Sequence, residues 1–153
     1  MASHSKKATF VGNENYVQLV GRYRAVSAYR AQYAALKKVN KEHIALCWYI
    51  GETIVEKQQA HNWGKAIFEN LSHDLQKEFP GVQGFSTDSL WRMRKFYLRY
   101  KDNKKLAPLV QEISWSKNII IMEKCNDNLE REFYIKMTKQ IIANRRKNRL
   151  IQV

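Results

Sequence analysis

The sequence predicts an all-α protein, a single compact helical domain with a helix-turn-helix-like core. Three observations lead there. Apolar residues recur every three or four positions through most of the 153 residues, the pattern of helices that bury one face. No stretch sustains the every-second-residue alternation of a half-buried strand, and only the short run KNIIIM is ambiguous. Turn-forming or capping residues separate the periodic stretches, so the helices are several and short-linked.

Each element follows in order. The first thirteen residues, MASHSKKATFVGN, carry no apolar period and read as a flexible leader. From Glu14 to Lys38, Tyr16, Leu19, Tyr23, Val26 and Tyr33 recur at helical spacing, leaving Arg22, Arg30 and Lys37 for the wet side. Asn40 reads as the cap of a second helix whose inner face carries Ile44, Cys47, Trp48, Gly51, Ile54 and Val55. Glycine lowers helix propensity, so Gly51 on that face predicts a close backbone crossing. Ile67, Phe68, Leu71, Leu75 and Phe79 continue the period until Pro80 and Gly81 stop it. Ser86 then restarts the chain as an N-cap. KDNKKLAP interrupts again, Ser114 or Ser116 caps a short helix KNIIIMEKC, and Asp127 with Glu130 makes a capping-box-like start for NLEREFYIKMTKQII. The expected organisation is a leader over 1–13, a helical domain over 14–142 and a basic tail over 143–153, with no internal repeat and no interdomain linker.

Composition narrows the function. With 44% hydrophobic residues, including four Trp, six Phe and eight Tyr, the chain has the apolar bulk of a folded protein and the length of one domain. Cys47 and Cys125 are too few and too far apart for a disulfide framework, which fits reduced thiols in the cytoplasm. No secretory apolar segment opens the chain and no apolar run approaches a membrane span, so a soluble, cytoplasmic protein without a membrane partner is expected. The net charge is +13 and the pI about 9.8. An excess of that size points to a polyanion, nucleic acid first. It is lopsided too: residues 1–79 carry +4 and residues 80–153 carry +9.

The second half opens on EFPGVQGFSTDSLWRMRKFYLRYK, residues 78–101. On a helix starting at Ser86, Leu90, Met93, Tyr97 and Tyr100 share one face, and Arg92, Lys95 and Arg99 form a stripe at i, i+3 and i+7 on the opposite one. A tight turn followed by a helix with a basic outer face is what a helix-turn-helix recognition element requires. The first N–H groups at Ser86, Thr87 and Asp88 can hold a phosphate, against the opposing Asp88 carboxylate. Trp91 flanks the stripe and can stack or pack, and Lys101, at the end of the stretch, is a further candidate nucleic-acid contact. Arg145, Arg146 and Lys147, with Arg149, add a second basic cluster able to track phosphates. The plainer alternative for both is a solvated basic face and a frayed tail.

Enzymatic motifs do not emerge. His43 and Cys47 stand at i, i+4, half of a metal site with no second pair, and read as two core residues. His61 and His73 lack a nucleophilic partner and read as surface or turn residues. Asp102-Asn103-Lys104 fits the D/E-x-K half of a nuclease signature, but lies in an interhelical loop where no strand aligns it. Gly81 and Gly84 are turn glycines, not a phosphate loop. No cofactor, metal or catalytic residue is expected.

NKEHIALCWYIG (Asn40–Gly51), NWGKAIFENLSHDLQKEFPGVQGFS (Asn62–Ser86), LWRMRKF (Leu90–Phe96), ISWSKN (Ile113–Asn118) and EREFYIKM (Glu130–Met137) together resemble the N-terminal domain of the YhcG-type proteins, once called domain of unknown function 1016. The resemblance covers most of residues 16–139, with Trp63-Gly64, Glu78-Phe79-Pro80, Gly84-Phe85-Ser86 and Trp115-Ser116 as its most specific motifs. It implies a helical, helix-turn-helix-like domain that in the family precedes a PDDEXK-type nuclease domain. The chain departs from the family pattern at Ser89, where Asn is usual, at Lys117, where His is frequent, and beyond Lys139, where a Gly-Trp-Ser/Thr segment is replaced by QIIANRRKNRLIQV. The resemblance therefore implies a DNA-binding or targeting half without the cutting half and with no catalytic residue to carry over, and the expected partner is nucleic acid in the form of double-stranded DNA. The alternative is a protein-interaction module that docks a separate nuclease subunit or a second copy of itself.

Overall fold

A computed structural model describes the backbone of residues 14–62 and 64–152, and the side chains of residues 18–152 except Leu19, Tyr23 and Trp63. The expected leader over 1–13 and the motif residue Trp63 lie outside the described residues. The described chain is all-helical: α1 (Glu14–His61), α2 (Lys65–Glu78), α3 (Thr87–Tyr100), α4 (Leu106–Leu109), a 3-10 turn (Val110–Glu112), α5 (Trp115–Lys124) and α6 (Asn128–Ile151). The all-α expectation holds, and no helix among the described residues is long and apolar enough to cross a membrane.

The largest departure from the sequence reading is α1. The break expected at Asn40 does not occur, and one helix of 48 residues runs through it. Asn40 is not a cap because its side chain serves a distant segment: Nδ2 donates to the carbonyls of Gln111 at 3.2 Å and Ile113 at 3.0 Å. That amide thereby satisfies backbone oxygens at the end of the 3-10 turn. The deeply buried side chains of α1 begin at Ile44 and end at Val55. Val26 and Tyr33, expected on an inner face, are only half-buried, while Tyr16, Leu19 and Tyr23 are side chains outside the description. Asn62 ends the helix with φ 51°, and its N–H bonds the Gln58 carbonyl at 3.1 Å, the left-handed stop that Asn tolerates.

The core lies where α1 crosses α3. A β-carbon added to Gly51 would sit 2.2 Å from the Met93 carbonyl oxygen, so the two backbones meet there and only glycine fits. Around that crossing Phe96 forms an aromatic nest, edge-on to Trp48, Tyr100 and Trp115 at centroid distances of 5.9, 5.2 and 5.1 Å. α2 closes the other side: Phe68 stacks face to face on Trp91 at 3.8 Å. Ser72, buried on α2, donates to the Phe85 carbonyl at 2.6 Å and so fixes the connection that follows.

That connection, residues 79–86, behaves as the sequence predicts at its ends. Gly81 and Gly84 take φ of 83° and 105°. Ser86 caps α3, its Oγ accepting from the Ser89 N–H at 3.2 Å. Asn103 begins α4 by accepting from the N–H groups of Lys105 and Leu106. Asp127 caps α6 by accepting from the Glu130 N–H at 2.8 Å, while the Glu130 carboxylate accepts from the Asn126 N–H, a reciprocal box. On α5 the buried Asn118 donates to the Val110 carbonyl at 2.7 Å and so pins the 3-10 turn to the core.

Gly51→Ala tests the crossing. Since backbone, not a flexible side-chain end, opposes the new methyl, destabilisation of about 3 kcal/mol or more is expected in a denaturant melt.

Candidate nucleic-acid interface

Positive charge meets three different fates in this fold. Some of it is neutralised at carboxylates. Glu112, at the end of the 3-10 turn, receives Lys41 at 3.1 Å, Lys37 at 3.3 Å and Lys139 at 3.7 Å, tying α1 and α6 to one carboxylate. Partial burial acts to raise the Glu112 pKa, but the Lys41 and Lys37 hydrogen bonds and the Lys37 and Lys139 charges outweigh it and hold it below the usual carboxylate range. Glu132 gathers Lys105 and Lys136 in the same way. A second fraction is internal. Arg131, only 3% exposed, donates to the Cys125 carbonyl and to Asn128 Oδ1, beside the buried Tyr100 phenol. Burial pushes that phenol up to about 12.

The third fraction stands outward on α3. Lys95 and Arg99, two members of the expected stripe, are exposed and form no ion pair among the described residues. Arg92, the third, instead donates from Nε to Glu123 of α5 at 3.2 Å, at the rim of a cleft of about 590 Å3 between α1, α3 and α5. Its charge is answered within the protein, so the stripe is shorter than the spacing implied.

Geometry supplies a replacement that sequence reasoning missed. Arg94 sits beside the apolar face of α3, half-buried, with Nε donating to Gln58 Oε1 and the guanidinium 5.6 Å from the Trp91 ring centre. Two adjoining grooves share Arg94 and Leu98. One, of about 430 Å3, is lined by Gln58, Gln59 and Asn62 at the end of α1; the other, of about 310 Å3, by Lys95, Arg99 and Asn128. Three cations and four side-chain amides therefore converge on one surface, and no carboxylate lines either groove among the described residues. No signal in the sequence places Gln58 or Asn128 there, because both arrive from other helices.

The remaining expected site residues divide. Ser86 and Thr87 do open α3, as exposed cap and half-buried first residue. Trp91, which the sequence leaves free to stack or pack, is half-buried and has one ring face on Phe68 with an interplanar angle of 4°. Lys101 is exposed, its ammonium 5.9 Å from the Tyr97 ring and away from Lys95 and Arg99 on the helix wheel. Arg145, Arg146 and Lys147 do not form a tail, because α6 continues to Ile151. Arg146 lies 4.2 Å from the Tyr33 ring of α1, and Arg145 and Arg149 line the same groove of about 250 Å3 with Tyr29 and Gln32. A guanidinium stacked on a ring keeps donors at its edge for phosphate.

The sites expected to be inert differ in one respect. Cys47 is buried with its thiol pushed up to about 12 by that burial, but His43 is an exposed residue, edge-on to Trp115 at 6.4 Å, and not part of the core. Cys125 is buried and both thiols are free. His61 and His73 are exposed, and Asp102-Asn103-Lys104 lies in the loop after α3. No group of three metal-ligating side chains occurs among the described residues.

A family model described as the DUF1016 N-terminal domain matches residues 25–150. No curated protein and no solved structure matches the chain.

The Glu112 cluster makes a pH-dependent prediction. A carboxylate with a lowered folded pKa contributes stability above its ordinary value of 4.5 and loses it as pH falls through the folded value. Glu112→Gln should cost about 1 kcal/mol at pH 7, a shift of roughly 2–4 °C in melting temperature. The gap to wild type should narrow once the pH drops below that ordinary value, as thermal melts across a pH series would show.

Proposed function

The chain belongs to the DUF1016 N-terminal domain family, and from that premise we propose that it is a nucleic-acid-binding module that holds double-stranded DNA by its phosphates. The observation that carries the reading is the carboxylate-free surface on which Arg94, Lys95 and Arg99 meet Gln58, Asn62 and Asn128. Lysine and arginine gain affinity from displaced counterions, and amides at the same surface can bond phosphate oxygens without adding charge. A helix with a basic outer face also matches the width of the DNA major groove. The eight-residue connection before α3 exceeds the three or four of a tight helix-turn-helix. The likeness to that motif therefore rests on the order of stopped helix, turn and basic helix.

Grip on the backbone would be largely indifferent to base sequence, with the α6 arginines Arg145, Arg146 and Arg149 adding phosphate contacts of their own. In the YhcG-type arrangement this role would deliver DNA to a nuclease domain. A second reading, a module that docks protein, is favoured by a different observation, the exposed apolar residues along α6.

Electrophoretic titration of duplex DNA over a salt series tests the first reading. Lys95→Ala with Arg99→Ala should weaken binding at least ~10-fold and lower the salt slope by about 2, while Lys65→Ala with Lys124→Ala should change it far less. Affinity that ignores salt, or equal losses in both double variants, would overturn the assignment.

A further inference from the structure

α6 is apolar on two opposite sides. Its inner side, with Ile135 fully buried, packs against α4 and α5. Its outer side carries Leu129, Phe133, Met137 and Ile141, spaced four apart, with Tyr134 edge-on to Phe133 at 5.3 Å. These residues are 78%, 55%, 43%, 46% and, for Tyr134, 43% exposed. A contiguous exposed apolar row is the mark of a surface that meets a partner, and among the described residues nothing covers this one.

We propose that the neighbour is a second copy of the same helix, making the protein a two-fold dimer. The ridge is suited to itself: side chains at steps of four form a row that fits the grooves beside an identical row. A two-fold axis across a helix sets the two copies antiparallel. The charge along α6 favours that direction, because Asp127 and Glu130 lie at its start and Arg145, Lys147 and Arg149 at its end. Antiparallel pairing brings unlike ends together, and the helix dipoles agree with it. At those exposures the five residues offer roughly 500 Å2 per copy, or about 1,000 Å2 for the pair if all of it is covered, the size at which a biological interface begins. Two chains of +13 repel, but at about 0.15 M salt that repulsion is screened beyond roughly 8 Å while the apolar contact is not. The dimer leaves the grooves on α3 open, since Leu129, Phe133, Met137 and Ile141 are absent from them, but it commits Arg145 and Arg149 to the partner in place of the phosphate contacts suggested above.

Sedimentation equilibrium of the whole chain at physiological salt is the test. Wild type should be dimeric in the micromolar range. Phe133→Glu with Met137→Glu should weaken dimerisation at least ~100-fold while leaving helical circular dichroism and thermal midpoint intact, because both side chains face solvent in the single chain. Met137→Cys, close to the axis, should form an interchain disulfide on mild oxidation, whereas Ile120→Cys, an exposed apolar residue of α5, should not. A wild-type chain monomeric throughout, a dimer that survives the double variant, or equal cross-linking through Ile120→Cys would each overturn the proposal. So would a monomer that binds some other protein through this ridge.

Discussion

The close passage of Gly51 against the Met93 carbonyl is the constraint on which the remainder of the structure turns. Two helix backbones can approach this far only where one lacks a side chain, and that approach lets a single layer of aromatics span the gap between α1, α3 and α5. Phe96 then reaches Trp48 and Trp115 together. Two turns beyond Gly51, the same approach brings Gln58 to Arg94. The groove proposed to hold phosphate is therefore a consequence of how the core packs, and α3 displays its basic face because its other face is pressed against α1.

Charge in this protein is sorted, not simply abundant. Three lysines converge on Glu112 and two on Glu132, at positions that link α1 and α4 to α6. Arg131 is absorbed into the interior by carbonyl and amide oxygens. Lys95 and Arg99 stand apart from these ion pairs. A cation already committed to a carboxylate releases little on meeting a phosphate, so the uncommitted positions matter more for the proposed binding than the net charge does.

Features set by local chemistry were legible in the sequence. Ser86 and Asp127 cap helices where their residue types and the following apolar periods imply, and the glycines at 81 and 84 adopt positive φ in the connection that follows α2. Gly51 also gave up its role, since a glycine on an apolar helix face has few other uses. Features set by partners distant in the chain were not legible. Asn40 has the composition of a cap but bonds carbonyls more than seventy positions away, so α1 continues through it. Arg92 belongs to the free stripe on spacing alone, but Glu123 reaches it from α5, and Arg94 lies outside that stripe and gains its place beside Gln58 only when the end of α1 packs against α3. Trp91 can stack or pack on its residue type alone, and the contact one of its faces makes with Phe68 comes from another helix. The arginines after residue 143 looked like a tail because their apolar spacing thins; Tyr33 on α1 gives Arg146 a surface to lie on.

The most direct measurement of the central claim is an NMR titration of the full chain with a short DNA duplex, following backbone amides and the side-chain amides of Gln58, Asn62 and Asn128. The account predicts shifts concentrated on the outer face of α3 and on those three side chains, fading as salt is raised. Shifts confined to the cleft around Leu46, Val82 and Ile120, or a spectrum that duplex leaves unchanged, would contradict it.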